Sequence, residues 1–321
     1  MRRACFHIVL ATTLLVVCGA ALYLTRKHVE KDLAFPSSPP RVVLKNRPAW
    51  MSDLLAEQIA RLARPAGAHS SFDHQMLVDV AHTLQASPWI KQVREVRRAY
   101  GERPGDTLEV DCDYRAPVAL VHWQNYFWLV DGEGVKLPEQ YTAQLVPRIV
   151  MGRDRKMMIR IIEGVRNSPV ASGNRWPGED LAAGLGMVKL LFGQPYAEDI
   201  VKVDVSNFGG RTDAKEAQIT LLTKWDTTIR WGQPINAKDF FVEVPVARKI
   251  EYLKQVYAEY GRVDGRRPWI DIRFDKITRP SDSEQLSSGR PWVCTSSTAY
   301  PPPLRAKFST LWITRRFSSE P

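Results

Sequence analysis

Histidines, cysteines and carboxylates carry most side-chain chemistry, and here they fall into a few groups. His69, His74 and His82 form the one histidine cluster. His74 and His82 lie eight residues apart and roughly share one side of a helix, so two imidazoles could face a zinc ion. His69 precedes that helix, and solvent-facing helix residues explain all three more simply. Glu109, Asp111 and Asp113 alternate along the chain. Three carboxylates on one strand face could hold a metal, but a charged solvent face explains them more simply. Asp131 and Glu133 interleave with Gly132 and Gly134. Calcium uses such residues, but so does a hairpin turn. Asp204 and Asp271 sit in strand-like runs with no paired carboxylate at a readable spacing. Of Cys5, Cys18, Cys112 and Cys294, two fall in an apolar run and one in a polar tail, and no C-x-x-C motif occurs. No G-x-S-x-G, H-E-x-x-H, G-x-G-x-x-G or P-loop is present. The sequence therefore predicts no enzyme, no catalytic, cofactor-binding or metal-binding residue, and no cofactor or small-molecule substrate.

The elements that would position any site come next. The chain has 321 residues, 45 Lys plus Arg against 35 Asp plus Glu, and a net charge of +10. That length allows two or three domains. The positive excess is spread out with no dense basic block, so no nucleic-acid partner is expected. Residues 4–24 contain no Asp, Glu, Lys or Arg. As a helix they would reach about 31 Å, enough for a hydrocarbon core of about 30 Å. The expectation is a cytoplasmic stub (1–3), a single transmembrane helix (4–24) and a linker (25–40), with the bulk of the chain outside the inner membrane. Arg2 and Arg3 favour that orientation. A cleaved signal peptide is the rival reading.

A first folded unit is read over 41–116. A short strand begins at Arg41. Ser52 or Asp53 caps a helix bearing Leu54, Leu55, Ile59 and Leu62. Asp73 starts a second helix with Met76, Leu77, Val80, Ala81 and Leu84, which Pro88 stops. A strand around 93–100 follows, then a turn at 103–106. Leu108, Val110, Cys112 and Tyr114 then alternate against the carboxylates, which makes Cys112 a small core residue. The order is strand, helix, helix, strand, strand. A second unit is read over 117–277: a meander over 118–137, a short strand at Ile149, a helix at 179–194, strands at 200–205, 218–223 and 227–231, and a helix from Val246 to Tyr260 with Ile250, Leu253, Tyr257 and Tyr260 in register. A last strand spans Trp269 to Phe274, with Ile270, Ile272 and Phe274 alternating against Asp271 and Arg273. The fold class is α+β, the second sheet mostly antiparallel with flanking helices. Residues 278–321 turn to Ser, Pro and Arg and read as a disordered tail, with Trp292, Leu311 and Trp312 unusual for a spacer.

Several of these stretches together resemble the FtsQ/DivIB family of bacterial division proteins. Ser87-Pro88-Trp89-Ile90 followed by Val93 and Val96 looks like the family's "PWV..V.V" passage. Leu108 to Val118, with Pro117-Val118-Ala119 intact, resembles its "L.V.V.E..PVA" strand and junction. Leu129-Val130-Asp131-Gly132-Glu133-Gly134 resembles its "LVD..G" hairpin, and Trp269-Ile270-Asp271-Ile272-Arg273-Phe274 its closing "IDLRY" strand. The glycine after the family's first strand is absent, with Asn46-Arg47-Pro48-Ala49-Trp50 in its place. The carboxylate before the junction is replaced near Tyr114-Arg115. The resemblance implies a POTRA domain, a β domain, and a non-catalytic scaffold at the division site. The scaffold would hold divisome partners resembling FtsB and FtsL by β-strand addition. Trp269, Ile270, Ile272 and Phe274 are the implied partner-strand contacts or supports. Val96, Arg98 and Tyr100 form a second, recruitment edge. The alternative function is a POTRA-type envelope-assembly protein that handles polypeptides.

Overall fold

Two side-chain caps set the start of the first amphipathic helices. Ser52 accepts a hydrogen bond from the Leu55 N–H, and Asp73 accepts one from the Met76 N–H. The structure is a computed structural model that describes residues 2–33, 39–67, 73–100, 104–150, 159–237 and 243–280. Helix α1 (Arg2–Leu33) precedes β1 (Arg41–Lys45), α2 (Asp53–Leu62), α3 (His74–Gln85), β2 (Ile90–Tyr100) and β3 (Pro104–Tyr114). The three strands form one sheet in the order β1-β3-β2, with β1 parallel and β2 antiparallel to β3. Leu55 and Ile59 of α2 and Met76, Val80 and Leu84 of α3 bury against Leu108, Val110 and Cys112 of β3. The strand–helix–helix–strand–strand order is thus as read.

An eight-stranded sheet follows. Its strands are β4 (Pro117–Trp123), β5 (Tyr126–Asp131), β6 (Lys136–Thr142), β7 (Arg160–Glu163), β8 (Ile200–Asp204), β9 (Ile219–Thr223), β10 (Thr228–Gly232) and β11 (Trp269–Asp271). Spatially they run β11-β10-β9-β8-β7-β4-β5-β6. Helix α4 (Val146–Val150) follows β6, α5 (Glu179–Leu191) follows β7, and α6 (Val246–Tyr260) follows β10. Helices α5 and α6 cover one face, where Leu181, Leu185, Val188, Tyr252 and Leu253 meet Val121, Ile162, Val203, Leu221, Ile229 and Trp231. On the other face Leu120, Phe127, Leu129, Leu137 and Ile161 join the core of the three-stranded sheet. By contacts the chain divides into Met1–Arg279 and Pro280–Pro321, and every element above belongs to the first.

Several expectations are corrected. Among the described residues no helix is long and apolar enough to cross a membrane, so the transmembrane helix at 4–24 is not supported. The side chains described in α1 run from Thr12 to His28, and charge begins at Arg26. Helix α1 also continues through the first part of the expected linker. The large sheet is antiparallel in four of its seven pairings and parallel in three: β7 pairs parallel to both β4 and β8, and β11 parallel to β10. Ile149 lies in α4 and not in a strand, and β3 already begins at Pro104, inside the expected turn. Leu54 and Leu62 stay exposed because Leu55 and Ile59 face the sheet. The buried stripe of α6 is Lys249, Tyr252, Leu253 and Val256, rotated from the expected one. Lys249 can be buried because its ammonium donates to the Trp231 carbonyl at 2.7 Å and to Glu243 at 2.5 Å. Trp292, Leu311 and Trp312 lie outside the described residues.

Candidate functional site

The end of the large sheet carries the first group of expected contact residues. Trp269, Ile270 and Asp271 pair with Thr228, Ile229 and Arg230 of β10. The strand stops after three residues because Asp271 and Arg273 engage each other. The Arg273 N–H donates to Asp271 Oδ1 at 3.1 Å, and its guanidinium reaches both carboxylate oxygens at 2.7 to 3.1 Å. The same guanidinium donates to the Lys215 carbonyl at 3.0 Å, tying the loop after β8 to this end. Asp271 and Arg273 are therefore buried together, not solvent-facing as the alternation suggested. The ion pair raises the Arg273 pKa.

Ile270 and Ile272 have no exposed surface and pack with Tyr252 and Leu253 of α6. They support the strand and offer nothing to a partner's side chains. Trp269 is half-buried, with the Arg230 guanidinium 4.8 Å over its ring. Phe274 is 43% exposed, and the Arg273 guanidinium lies 5.1 Å over its ring. Trp269 and Phe274 are thus the two of the four that reach the surface.

The chain then returns along the outer side of β11. Thr278 and Asp271 exchange both backbone hydrogen bonds, at 2.9 and 3.0 Å, as an antiparallel pair. Three contacts hold this return. The Tyr252 hydroxyl donates to the Asp275 carbonyl at 2.5 Å, Ile277 packs on the core, and Arg279 donates to the Tyr260 hydroxyl at 3.1 Å. Thr278 spends both its backbone groups on Asp271, while Ile277 and Arg279 make no backbone–backbone hydrogen bond among the described residues; in an extended chain such neighbouring groups alternate to the opposite side. The expected tail therefore starts later than Thr278, and its first residues build the sheet's outermost edge. The sequence showed the Asp-x-Arg spacing that pairs Asp271 with Arg273. It carried no signal for Thr278, which sits where the composition turns polar.

The second expected edge is β2. Val96 opposes Val110 and packs into the core, and Arg98 opposes Leu108. Arg98 donates to the Asp73 carbonyl at 2.7 Å, while its Nε and Nη1 are buried without a partner. Burial lowers its pKa. Tyr100 opposes Pro104, and its side chain lies outside the described residues. Val96 and Arg98 face inward over the helices. Outward, Arg94 pairs with Asp113 and Arg97 with Glu109, whereas Glu95 opposes Asp111 with like charge. The β2 register shifts in three places. Bulges and charges of this kind twist and guard an edge against further strands.

The remaining chemistry-bearing residues have structural partners. Among the described residues no group of three or more His, Cys, Asp or Glu is placed to hold a metal ion. His74 and His82 are exposed on α3, and His69 lies outside the described residues. Asp131 accepts from the Glu133 and Val135 N–H groups, both at 2.8 Å, and from Arg115 at 2.8 Å, so it builds the hairpin turn and ties it to the end of β3. Arg115 thus takes a structural role. Cys112 is buried, and burial foremost pushes its thiol up to about 11. A shallow polar groove of about 290 Å³ lies on the open face of the sheet, lined in part by Asp213, Glu216, Thr220, Thr228 and Arg230. No protein-family model matches the chain, and no curated protein matches it.

Proposed function

We propose that this chain is a non-catalytic scaffold of the cell-division machinery. It holds partner proteins resembling FtsB and FtsL by adding their extended segments to its outermost sheet edge. The single observation that supports the reading is the Asp271–Thr278 pairing at the end of an eight-stranded sheet, beside which the backbone groups of Ile277 and Arg279 make no backbone–backbone hydrogen bond among the described residues. Strand addition draws affinity from such groups and specificity from neighbouring side chains, here Trp269 and Phe274. Ile270 and Ile272 act from within by holding β11 against α6. The order of motifs that resembles the FtsQ/DivIB family supplies the division context. The POTRA-type polypeptide-handling alternative would rely on β2, and its bulged, charged edge weighs against that.

The test is imaging of a tagged full-length chain at native expression in dividing cells. Concentration at the division plane, lost when residues 41–277 are removed, is the expected result. A uniform signal through the cell cycle would refute the division role.

A further inference from the structure

Loop 205–218 joins β8 to β9, and its only regular structure is the helical turn Phe208–Gly210. Side chains pin it along its length. The Asn207 amide nitrogen faces the carbonyls of Asp213, Glu216 and Ala217 at 2.8 to 3.3 Å. The Asn207 amide oxygen accepts from the Thr212 and Asp213 N–H groups at 2.9 Å. Arg211 donates to the Ser206 and Val205 carbonyls at 2.5 and 2.6 Å and to Asp180 at 3.0 Å. Gln218 accepts from the Gly209 N–H at 3.1 Å, and Arg273 reaches in to the Lys215 carbonyl at 3.0 Å. Ordering a long loop costs conformational entropy, so a loop fixed this often is preorganised, and such loops are where binding sites are built.

The loop borders the groove of about 290 Å³ on the open sheet face. Leu221, Ile229 and Trp231 face the helices. Thr220, Thr228 and Arg230 therefore line the groove from the opposite side of the strands. Arg230 stands directly across from Thr220 in the β9–β10 ladder. From the loop come Asp213, Glu216 and Ala217.

These side chains keep spare hydrogen-bonding capacity. Arg230 Nε lies 3.8 Å from Glu216 and its Nη1 lies 4.0 Å from Asp271, both beyond hydrogen-bond distance. The guanidinium rests over the Trp269 ring instead. No described residue hydrogen-bonds the Thr220 or Thr228 hydroxyl.

The lining selects among ligands. Asp213 and Glu216 outnumber Arg230, the one cation of the lining, which disfavours an anion such as phosphate. Arg230 in turn disfavours a cation. Ala217 is the one hydrophobic residue of the lining, so an apolar ligand finds little to bury against. On a sheet face the backbone groups are spent in the ladder, so an extended peptide has no strand to join. A neutral molecule with donors and acceptors on adjacent atoms remains. Neighbouring hydroxyls of a sugar meet that requirement: they accept from Arg230, donate to Glu216 and exchange bonds with either threonine hydroxyl.

We propose that this groove is a carbohydrate-binding site, with Arg230, Glu216, Thr220 and Thr228 as its contacts. It is independent of the Ile277–Arg279 edge and of a division role.

The probes are glucose, galactose, cellotetraose and chitotetraose, titrated against the full chain by calorimetry and saturation-transfer NMR. A Ser-Gly repeat peptide and inorganic phosphate are the comparators. At least one sugar is expected to bind at millimolar concentration or below, with neither comparator binding. Arg230→Met should weaken that sugar about tenfold and Thr220→Val about fivefold, as one charged and one neutral hydrogen bond are lost. Both sites are half-buried on the open face, and an unchanged circular dichroism spectrum checks the fold. No binding of any sugar at tens of millimolar, binding of the peptide or phosphate as tight as that of the best sugar, or unchanged sugar binding in both variants would overturn the proposal.

Discussion

Ile272 and Phe274 lie two residues apart, and strand alternation treats them alike, yet the structure gives them opposite roles. Ile272 has no exposed surface and packs in the cluster with Ile270, Tyr252 and Leu253. Truncating such a side chain to Ala removes its transfer free energy and leaves a cavity, at about 2–5 kcal/mol. The site is walled by β10 and α6 and has little room to collapse, so about 3–4 kcal/mol is expected for Ile272→Ala. At roughly 2–4 °C per kcal/mol for a folded body of this size, the melting midpoint should fall by about 10 °C. Phe274 is 43% exposed, and Phe274→Ala should cost under about 1 kcal/mol. The assay is urea and thermal unfolding of the full chain, with both variants side by side. If the two variants cost the same, or if Ile272→Ala shifts stability by less than about 1 kcal/mol, the placement of β11 against α6 is wrong. The contrast also selects the tool for testing partner binding. Ile272→Asp would bury an unpaired carboxylate and unfold this end, whereas Phe274→Ala probes the surface with the fold intact.

Other outcomes follow from single sites. Burial alone would raise the Asp264 carboxyl, but hydrogen bonds from Arg262, Thr227 and the Arg266 N–H hold it below its usual value. Such a carboxylate adds stability above its unfolded pKa of about 4 and loses it as pH falls through the lower folded value. Denaturation curves between pH 5 and pH 2, as an order-of-magnitude window, should therefore show a loss on acidification that is reduced in Asp264→Asn. Cys112 should resist iodoacetamide at pH of about 8 while Cys18, exposed on α1, reacts; mass spectrometry of the labelled peptides reads this. Gly164→Ala should destabilise by about 1–3 kcal/mol in urea unfolding, because a Cβ there would lie 2.4 Å from the Ser206 nitrogen at a φ of +81°. Leu120→Ala should lower the unfolding midpoint without splitting the transition, since Leu120 lies in the core that the two sheets share; two resolved transitions would mean that the sheets fold independently.

Where one period governed burial, the sequence was legible. Leu108, Val110 and Cys112 alternate inward as read, and Met76, Val80 and Leu84 line the buried side of α3. The boundaries of α6 agree with the reading because Pro245 precedes it and Gly261 stops it in the left-handed region. Its buried stripe did not follow the pattern, because Lys249 enters the core through a carbonyl and Glu243, which hydropathy cannot anticipate. At the candidate site, alternation over 269–274 failed for the same reason. Asp271 and Arg273 neutralise each other, so both are buried and the strand ends early. The parallel pairings of β7 and β11 were illegible because each depends on contacts far along the chain, and the strands themselves are four and three residues long. Thr278 was missed because its role is carried by the backbone, and its side chain is exposed.

Strand addition at the outermost edge can be read by photo-crosslinking in living cells. A crosslinker replaces Lys276 or Thr278, both with exposed side chains, and a control replaces Phe192, exposed at the end of α5. Adducts are expected from 276 and 278, at the division plane, to an extended segment of a division protein, with none from 192. Adducts equally frequent from all three positions, or from 192 alone, would contradict it.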